Sequence, residues 1–455
     1  MSAELRKRWA QAGGTFPENW KVVPLETLLR DSKGIAVGVM YPGPNTPGGV
    51  PLIKVGDVNG GLVSLRPSYC ISAEVNAEYK RTQLAGDELL ITLVGNPGEC
   101  VVVKKHMAGW NAARAIAVIR LEDPSLRVYL KTVLESTACR HLIDAVLNTT
   151  VQKTLNLKDI RLLPIPMPPK QVIQAISGFS NALNDRIALL RETNATLEAI
   201  AQALFKSWFI DFDPVRAKAE GIYPEGMDAA TASLFPDSFE ESELGLVPMG
   251  WRILPLEDAY EINPPRKLKK GEVAPYLDMA SVGTQGHVVS GVVEREMGSG
   301  TKFINGDTLL ARITPCLENG KSAFVDFLPV DQTGWGSTEF VVLRPRAPLP
   351  PYHGYLLARH SAFREHAIQS MSGTSGRQRV QNDVLGRYSV VVPSDEIAEA
   401  FGDVVGRAQQ KIAANQEQAK TLTHLRDTLL PRLISGQLRL PETDTSIEDM
   451  LSEAV

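Results

Sequence analysis

The sequence predicts an α+β fold: two tandem, pseudo-symmetric β-rich domains, each followed by a long α-helix, the two helices packing antiparallel as a coiled-coil spacer. Three observations predict it. The 455-residue chain carries an internal duplication. Pro17-Glu18-Asn19-Trp20 with Pro24-Leu25-Glu26 recurs as Pro248-Met249-Gly250-Trp251 with Pro255-Leu256-Glu257. Gly86-Asp87-x-Leu89-Leu90 recurs as Gly306-Asp307-x-Leu309-Leu310, residues 115–120 match 339–344, and Asp159-Ile160 matches Asp383-Val384. Each half holds short apolar runs broken by Gly, Pro and Asn, a strand signal. Each half then ends in a long run of heptad-like spacing, a helix signal.

The elements follow in order. Residues 1–168 form the first β-rich domain with an N-terminal arm; its runs are LLITLV, ECVVVKK and AIAVIRL, followed by a short helical stretch near 126–147. Residues 169–210 form the first spacer helix. Its apolar seam is Val172, Ile176, Phe179, Leu183, Ile187, Leu190, Asn194, Leu197, Ala201, Leu204 and Trp208. That span of 37 residues makes about 55 Å of helix at 1.5 Å per residue. Residues 211–247 are an acidic linker, expected to be partly disordered or wrapped over the surface. Residues 248–393 repeat the β-rich domain with TLLARI, SAFVDFL and EFVVLRP, and a helical stretch near 352–370. Residues 394–436 form the second helix, with the seam Phe401, Val404, Ala408, Ile412, Asn415, Ala419, Leu422, Leu425, Leu429 and Leu433. Asn194 and Asn415 are polar seam members suited to fixing register. Residues 437–455 are an acidic tail.

Composition narrows the class. No apolar run approaches the ~18 residues a membrane span needs, and the N-terminus lacks the apolar core of a secretory signal. Cys70, Cys100, Cys139 and Cys316 stand alone without CxxC spacing. This excludes a zinc ribbon or disulfide framework and suits a cytoplasmic protein. The net charge of −4 is an average over unlike pieces. Residues 211–250 hold 2 basic and 9 acidic side chains, and 394–455 hold 6 and 11, so the remainder is mildly basic.

Catalytic patterns fail on inspection. Asn263-Pro264-Pro265 is followed by Arg266 where an amino-methyltransferase loop needs an aromatic to stack its flipped base. Glu318-Asn319-Gly320-Lys321-Ser322 has Pro315 where a phosphate loop needs glycine. Asp237, Glu241 and Glu243 form a solvated acidic run rather than a nuclease set. The seven histidines show no metal-ligand spacing, and no nucleophile elbow is present. The expectation is a non-catalytic chain without a metal site.

The remaining chemistry suits DNA. Arg266, Lys267, Lys269 and Lys270 crowd one loop, as phosphate contacts require. Arg312, Asn319 and Lys321 lie in a turn after a strand, and Arg377, Gln378 and Arg379 in a polar loop; these types make bidentate contacts to base edges. The first half supplies Thr150, Gln152 and Lys153 at the equivalent loop, and Lys104 and Lys105 in a further basic turn.

The PxxW-x3-PLE openings, the GD-x-LL turns, ARITPCLENGK, ALFKSWFIDFDPV ending the first helix and DTLLPRLISGQL ending the second resemble the specificity subunits of Type I restriction-modification enzymes. The resemblance covers residues from about Trp20 to Leu440. It implies two target recognition domains, each reading half of a bipartite, asymmetric site in double-stranded DNA, with the helices setting the spacer. It implies two methyltransferase subunits that dock on the helices and use S-adenosylmethionine, and restriction subunits that use ATP and Mg. Phe179, Leu183, Leu197, Leu204, Trp208, Phe401, Leu422 and Leu429 are the helix residues expected to meet these partners. No cofactor is expected on this chain itself. The alternative readings are a free-standing duplicated DNA-binding or regulatory protein without methyltransferase partners, and a methyltransferase built on Asn263-Pro264-Pro265.

Overall fold

The computed structural model describes residues 2–63, 67, 69–147, 153–243, 245–373 and 376–438. They divide into two compact units, one built from the residues up to Ile187 and from Lys420 onward, the other from Ala188–Ala419.

In the central sheets the duplication holds strand for strand. In the first unit the central antiparallel sheet has the spatial order Ile35–Val37, Ile116–Ile119, Leu89–Thr92, Cys100–Val102. In the second it is Tyr260–Ile262, Phe340–Pro345, Thr308–Ala311, Ser322–Phe324. The inner strands are apolar without alternation because both faces are covered. In the second unit Leu309, Ala323, Phe340 and Val342 pack with Leu277, Phe303 and Leu328 on one face. Leu310, Phe324, Val341 and Leu343 pack with Tyr352, Tyr355 and Leu356 on the other. Those last three belong to the helix Pro351–Arg359.

The repeated sequence motifs have structural jobs. The PLE motif follows strands Lys21–Pro24 and Arg252–Pro255, which pair antiparallel with Pro164–Met167 and Ser389–Val392. Leu25 and Leu256 are fully buried, and Trp20 and Trp251 are also buried. In the GD turns, Gly86 (φ 99) and Gly306 (φ 88) take the left-handed backbone that glycine tolerates. A buried carboxylate then pairs with an arginine in or just after the neighbouring strand: Glu88 with Arg120 at 3.2 Å, Asp307 with Arg344 at 2.8 Å.

A second sheet, not anticipated from sequence, accompanies each central one. The first unit has three strands, Cys70–Ile71, Val50–Ile53 and Asn111–Ala112, the last pair parallel. The second has four, Val293–Glu296, Val273–Leu277, Gly334–Gly336 and Thr301–Phe303, with its middle pair parallel.

The long helices are Lys170–Phe209 and Asp395–Ile434, 40 residues each. Within the second unit Asn415 donates to Asn194 at 2.8 Å, and Asn194 donates to the Ile412 carbonyl at 3.2 Å. There too the Phe209 and Phe401 rings lie 4.7 Å apart. Numbers rise on one helix as they fall on the other, so these segments run antiparallel. Within the first unit, Arg426 donates to Asn184 at 3.0 Å. One seam position differs from expectation: Val404 is 46% exposed and Val405 is buried. The linker is ordered and wrapped on its own unit as helices Asp213–Ala219 and Ala229–Leu234 and the hairpin of Phe239–Ser242 with Gly245–Pro248. Phe212, Val215, Phe235 and Val247 sit between its acids and are buried, which is why it does not remain loose.

Candidate nucleic-acid interface

In the second unit two of the expected loops are laced into one. Ile313 and Arg379 form an isolated antiparallel bridge. Thr314 donates its N–H to the Gln378 carbonyl at 3.0 Å, and Val380 donates to the Arg312 carbonyl at 3.0 Å. Arg379 forks onto the Glu339 carboxylate, with its Nη2 at 2.6 Å and Nε at 2.9 Å. Hydrogen bonding from Arg379 holds the Glu339 carboxyl below its usual range, and burial opposes this only partly. Arg312 donates to the Val380 carbonyl at 2.7 Å, and Lys321 to the Met279 carbonyl at 2.7 Å. Arg312, Lys321 and Arg379 therefore brace the surface, while Asn319 and Arg377 are exposed on it and Gln378 is half-buried.

The basic loop is elsewhere. Lys267, Lys269 and Lys270 are exposed. Arg266 is not part of that solvent-facing set, contrary to expectation. Its side chain is 14% exposed and donates to Asp307 at 2.8 Å, so its charge is spent inside the domain. Asp307 and Arg312 flank the strand Thr308–Ala311 at opposite ends, which separates the two loops by roughly 17 Å along the strand.

The first unit repeats this plan. Val94 and Thr154 form the bridge equivalent to Ile313 and Arg379, and Lys153 beside it is exposed. Thr150 and Gln152 lie outside the described residues. Lys104 and Lys105 are exposed at the other end of the strand Leu89–Thr92. The Lys104 ammonium approaches Asp185 of the long helix at 3.7 Å.

Sequence reading missed a third feature. Tyr276 and Trp335 lie with ring centres 4.5 Å apart and planes inclined at 56° on the second sheet, with the Arg295 guanidinium 4.7 Å and 5.8 Å from their ring centres. In the first unit Lys54 sits 3.4 Å from the ring centre of Tyr69. Arg295 hides in the run Val292-Val293-Glu294-Arg295-Glu296, whose flanking acids suggest a neutral surface. Strand alternation was the available signal, since it puts Arg295 on the face opposite Glu294 and Glu296.

The partner-facing helix residues need correction. Phe179, Leu183, Trp208, Phe401 and Leu422 are each 5% exposed or less, because the seam closes on the chain itself. Leu197, Leu204 and Leu429 are half-buried. The outward apolar residues of the long helices are instead Leu189, Ile200 and Val404, each 46–52% exposed. Asn263, which opens the rejected methyltransferase pattern, has φ 49 and accepts the Val342 N–H at 2.8 Å. It serves the strand ladder. Among the described residues no cluster of three metal-ligating side chains occurs, and no helix is long and apolar enough to cross a membrane.

Comparison with known proteins agrees with this architecture. The family model of the Type I restriction modification DNA specificity domain matches residues 17–199. The HindI specificity subunit of Haemophilus influenzae is 26% identical over 342 residues, covering 62% of this chain and 71% of that protein. The MjaIX specificity subunit of Methanocaldococcus jannaschii is 26% identical over 304 residues, covering 64% and 63%. The EcoBI specificity subunit of Escherichia coli is 28% identical over 198 residues, covering 41% and 42%. The match thus spans between two fifths and seven tenths of these relatives' own lengths. In fold, the chain is similar to the crystal structure of a Type I restriction-modification S subunit from M. genitalium. That likeness has a TM-score of 0.52 at 15% identity and covers 91% of this chain and 96% of that one. Duplicated sheets, long paired helices and these similarities point the same way: residues 17–199 match the Type I restriction modification DNA specificity domain, and the chain is similar to specificity subunits of Type I restriction enzymes.

Proposed function

We propose that this chain is the non-catalytic, DNA-reading subunit of a Type I restriction-modification complex, each β-rich domain reading one half of a bipartite asymmetric site. The observation that carries this is the repeated lacing of two loops at the same strand end in both domains, bridged at Val94–Thr154 and at Ile313–Arg379. A loop braced by its own hydrogen bonds presents Asn319 and Arg377 with little conformational freedom left to lose, which favours specific over sliding contacts. Lys267, Lys269 and Lys270, with Lys104, Lys105 and Lys153 in the first domain, serve as phosphate contacts that set orientation. Double-stranded DNA, two methyltransferase subunits and restriction subunits are the partners. S-adenosylmethionine belongs on the methyltransferases, and ATP with Mg on the restriction subunits. The methyltransferases dock on the outward apolar residues Leu189, Ile200 and Val404 rather than on the closed seam.

The test is to express the chain with its methyltransferase and sequence modified bases in the host DNA. The expected result is a methyladenine motif of two defined parts separated by a fixed, unread spacer. A palindromic motif, or none, overturns the proposal.

A further inference from the structure

The two domains share a central sheet and differ in the second sheet, in strand number and in the residues it carries. Two pseudo-symmetric domains that read different sequences must use residues that differ, and the second sheets supply such residues in addition to the loops. The second sheet of each unit also holds a cation fixed on an aromatic ring. In the second unit Arg295 pairs in register with Ala274, and Tyr276 with Trp335 and Val293. Alternation therefore gathers Arg295, Tyr276, Trp335 and Lys302 on one face. Arg295 is exposed, whereas Trp335 beneath it is buried. Lys302 donates to the Leu268 carbonyl at 2.7 Å, and Leu268 packs with Trp335 and Met297, so the loop bearing Lys267, Lys269 and Lys270 is anchored beside this platform. In the first unit Lys54 over Tyr69 occupies the equivalent sheet, beside its strand Val50–Ile53.

We propose that Arg295 is a specificity-determining residue for one half of the DNA site and Lys54 for the other, each reading a guanine edge. The assignment rests on the DNA-reading function proposed above. An arginine held within 6 Å of two ring centres has lost part of its rotamer freedom, so it meets a base with its donor fork already positioned. Guanine O6 and N7 are the acceptors that match arginine and lysine in the major groove. The neighbouring lysines supply phosphate contacts that would hold the register while Arg295 reads.

The experiment uses the full complex, with methylated motifs sequenced from cells carrying the wild type, Arg295→Ala or Lys54→Ala. Arg295→Ala should make one G·C position of one half-site degenerate, with discrimination there falling roughly 5- to 150-fold, the value of one bidentate pairing. Lys54→Ala should blur a position in the opposite half. The half left intact reports that the subunit still folds and assembles. An unchanged motif, both variants blurring the same half, or a uniform fall in methylation at every site with the motif intact would each overturn the assignment, the last being the signature of a phosphate contact. A wild-type complex that yields no bipartite motif counts instead against the DNA-reading function itself.

Discussion

At the scale of single residues, burial separates cations that serve the fold from those proposed to contact DNA. Asp307 is fully buried and accepts from Arg266, Arg344 and the Ile304 N–H. Removing Arg266 alone leaves two donors, so Arg266→Ala should cost about 1.5–3 kcal/mol, the worth of a charged hydrogen bond. Asp307→Ala strands both arginines and should cost about 3–5 kcal/mol. Replacing Lys267, Lys269 and Lys270 together by alanine should leave stability nearly unchanged. It should lower the slope of log K against log salt by about 0.9 for each phosphate that is no longer neutralised. Denaturant melts and salt-dependent DNA binding distinguish the two groups; a stability loss in the lysine variant would put those side chains inside the fold. Glu339 yields a pH dependence. Its folded pKa lies below the usual 4.5 because Arg379 donates to it. The stability it contributes is thus present above about pH 4.5 and lost as pH falls through the lowered folded value. Glu339→Gln should remove that part of the acid sensitivity, which unfolding curves between about pH 3 and 6 would register as a shallower fall.

At the scale of elements, the helix pair is specified by its polar seam. Asn415 is 2% exposed, and its hydrogen bond to Asn194 is completed by the Asn194 donation to Ile412. Asn415→Ala leaves Asn194 with a half-buried, unmet acceptor and should cost about 1–3 kcal/mol. The double change of both asparagines to leucine should recover most of that loss while loosening register. A double-mutant cycle measures the coupling, and purely additive losses would show that the two side chains act separately. This pair was legible in the sequence because an asparagine interrupts the apolar spacing near the middle of each helix. The second sheets were not legible. Their strands run two to five residues, and their parallel pairing joins segments about sixty residues apart, such as Leu52 with Asn111; periodicity reports only local order. The same limit hid the role of Arg266, whose partner lies 41 residues away. Val404 and Val405 were exchanged because the seam spacing varies between three and four, and either valine satisfies it.

At the scale of the whole molecule, the acidic total conceals a division of labour. The negative charge concentrates in residues 211–250 and 394–455, while the β-rich domains carry a small basic excess. That excess is too modest for strong DNA binding by the chain alone, so affinity should depend on partner subunits, with this chain supplying register. Register has a measurable length. In the function proposed above the two 40-residue helices are the spacer, so their length should set the spacer length in the DNA. One heptad adds about 10.5 Å at 1.5 Å per residue, which corresponds to about 3 base pairs at 3.4 Å each. The insertion must be matched on both helices, after Asn194 on the first and before Ile412 on the second, because a single insertion would move Asn194 away from Asn415. With matched insertions, modified-base sequencing should return the same two half-sites with a spacer longer by about 3 base pairs. Insertion in one helix only should destabilise the pair and reduce methylation. An unchanged spacer in a stable double-insertion variant would show that the helices join the two domains without measuring the distance between their sites.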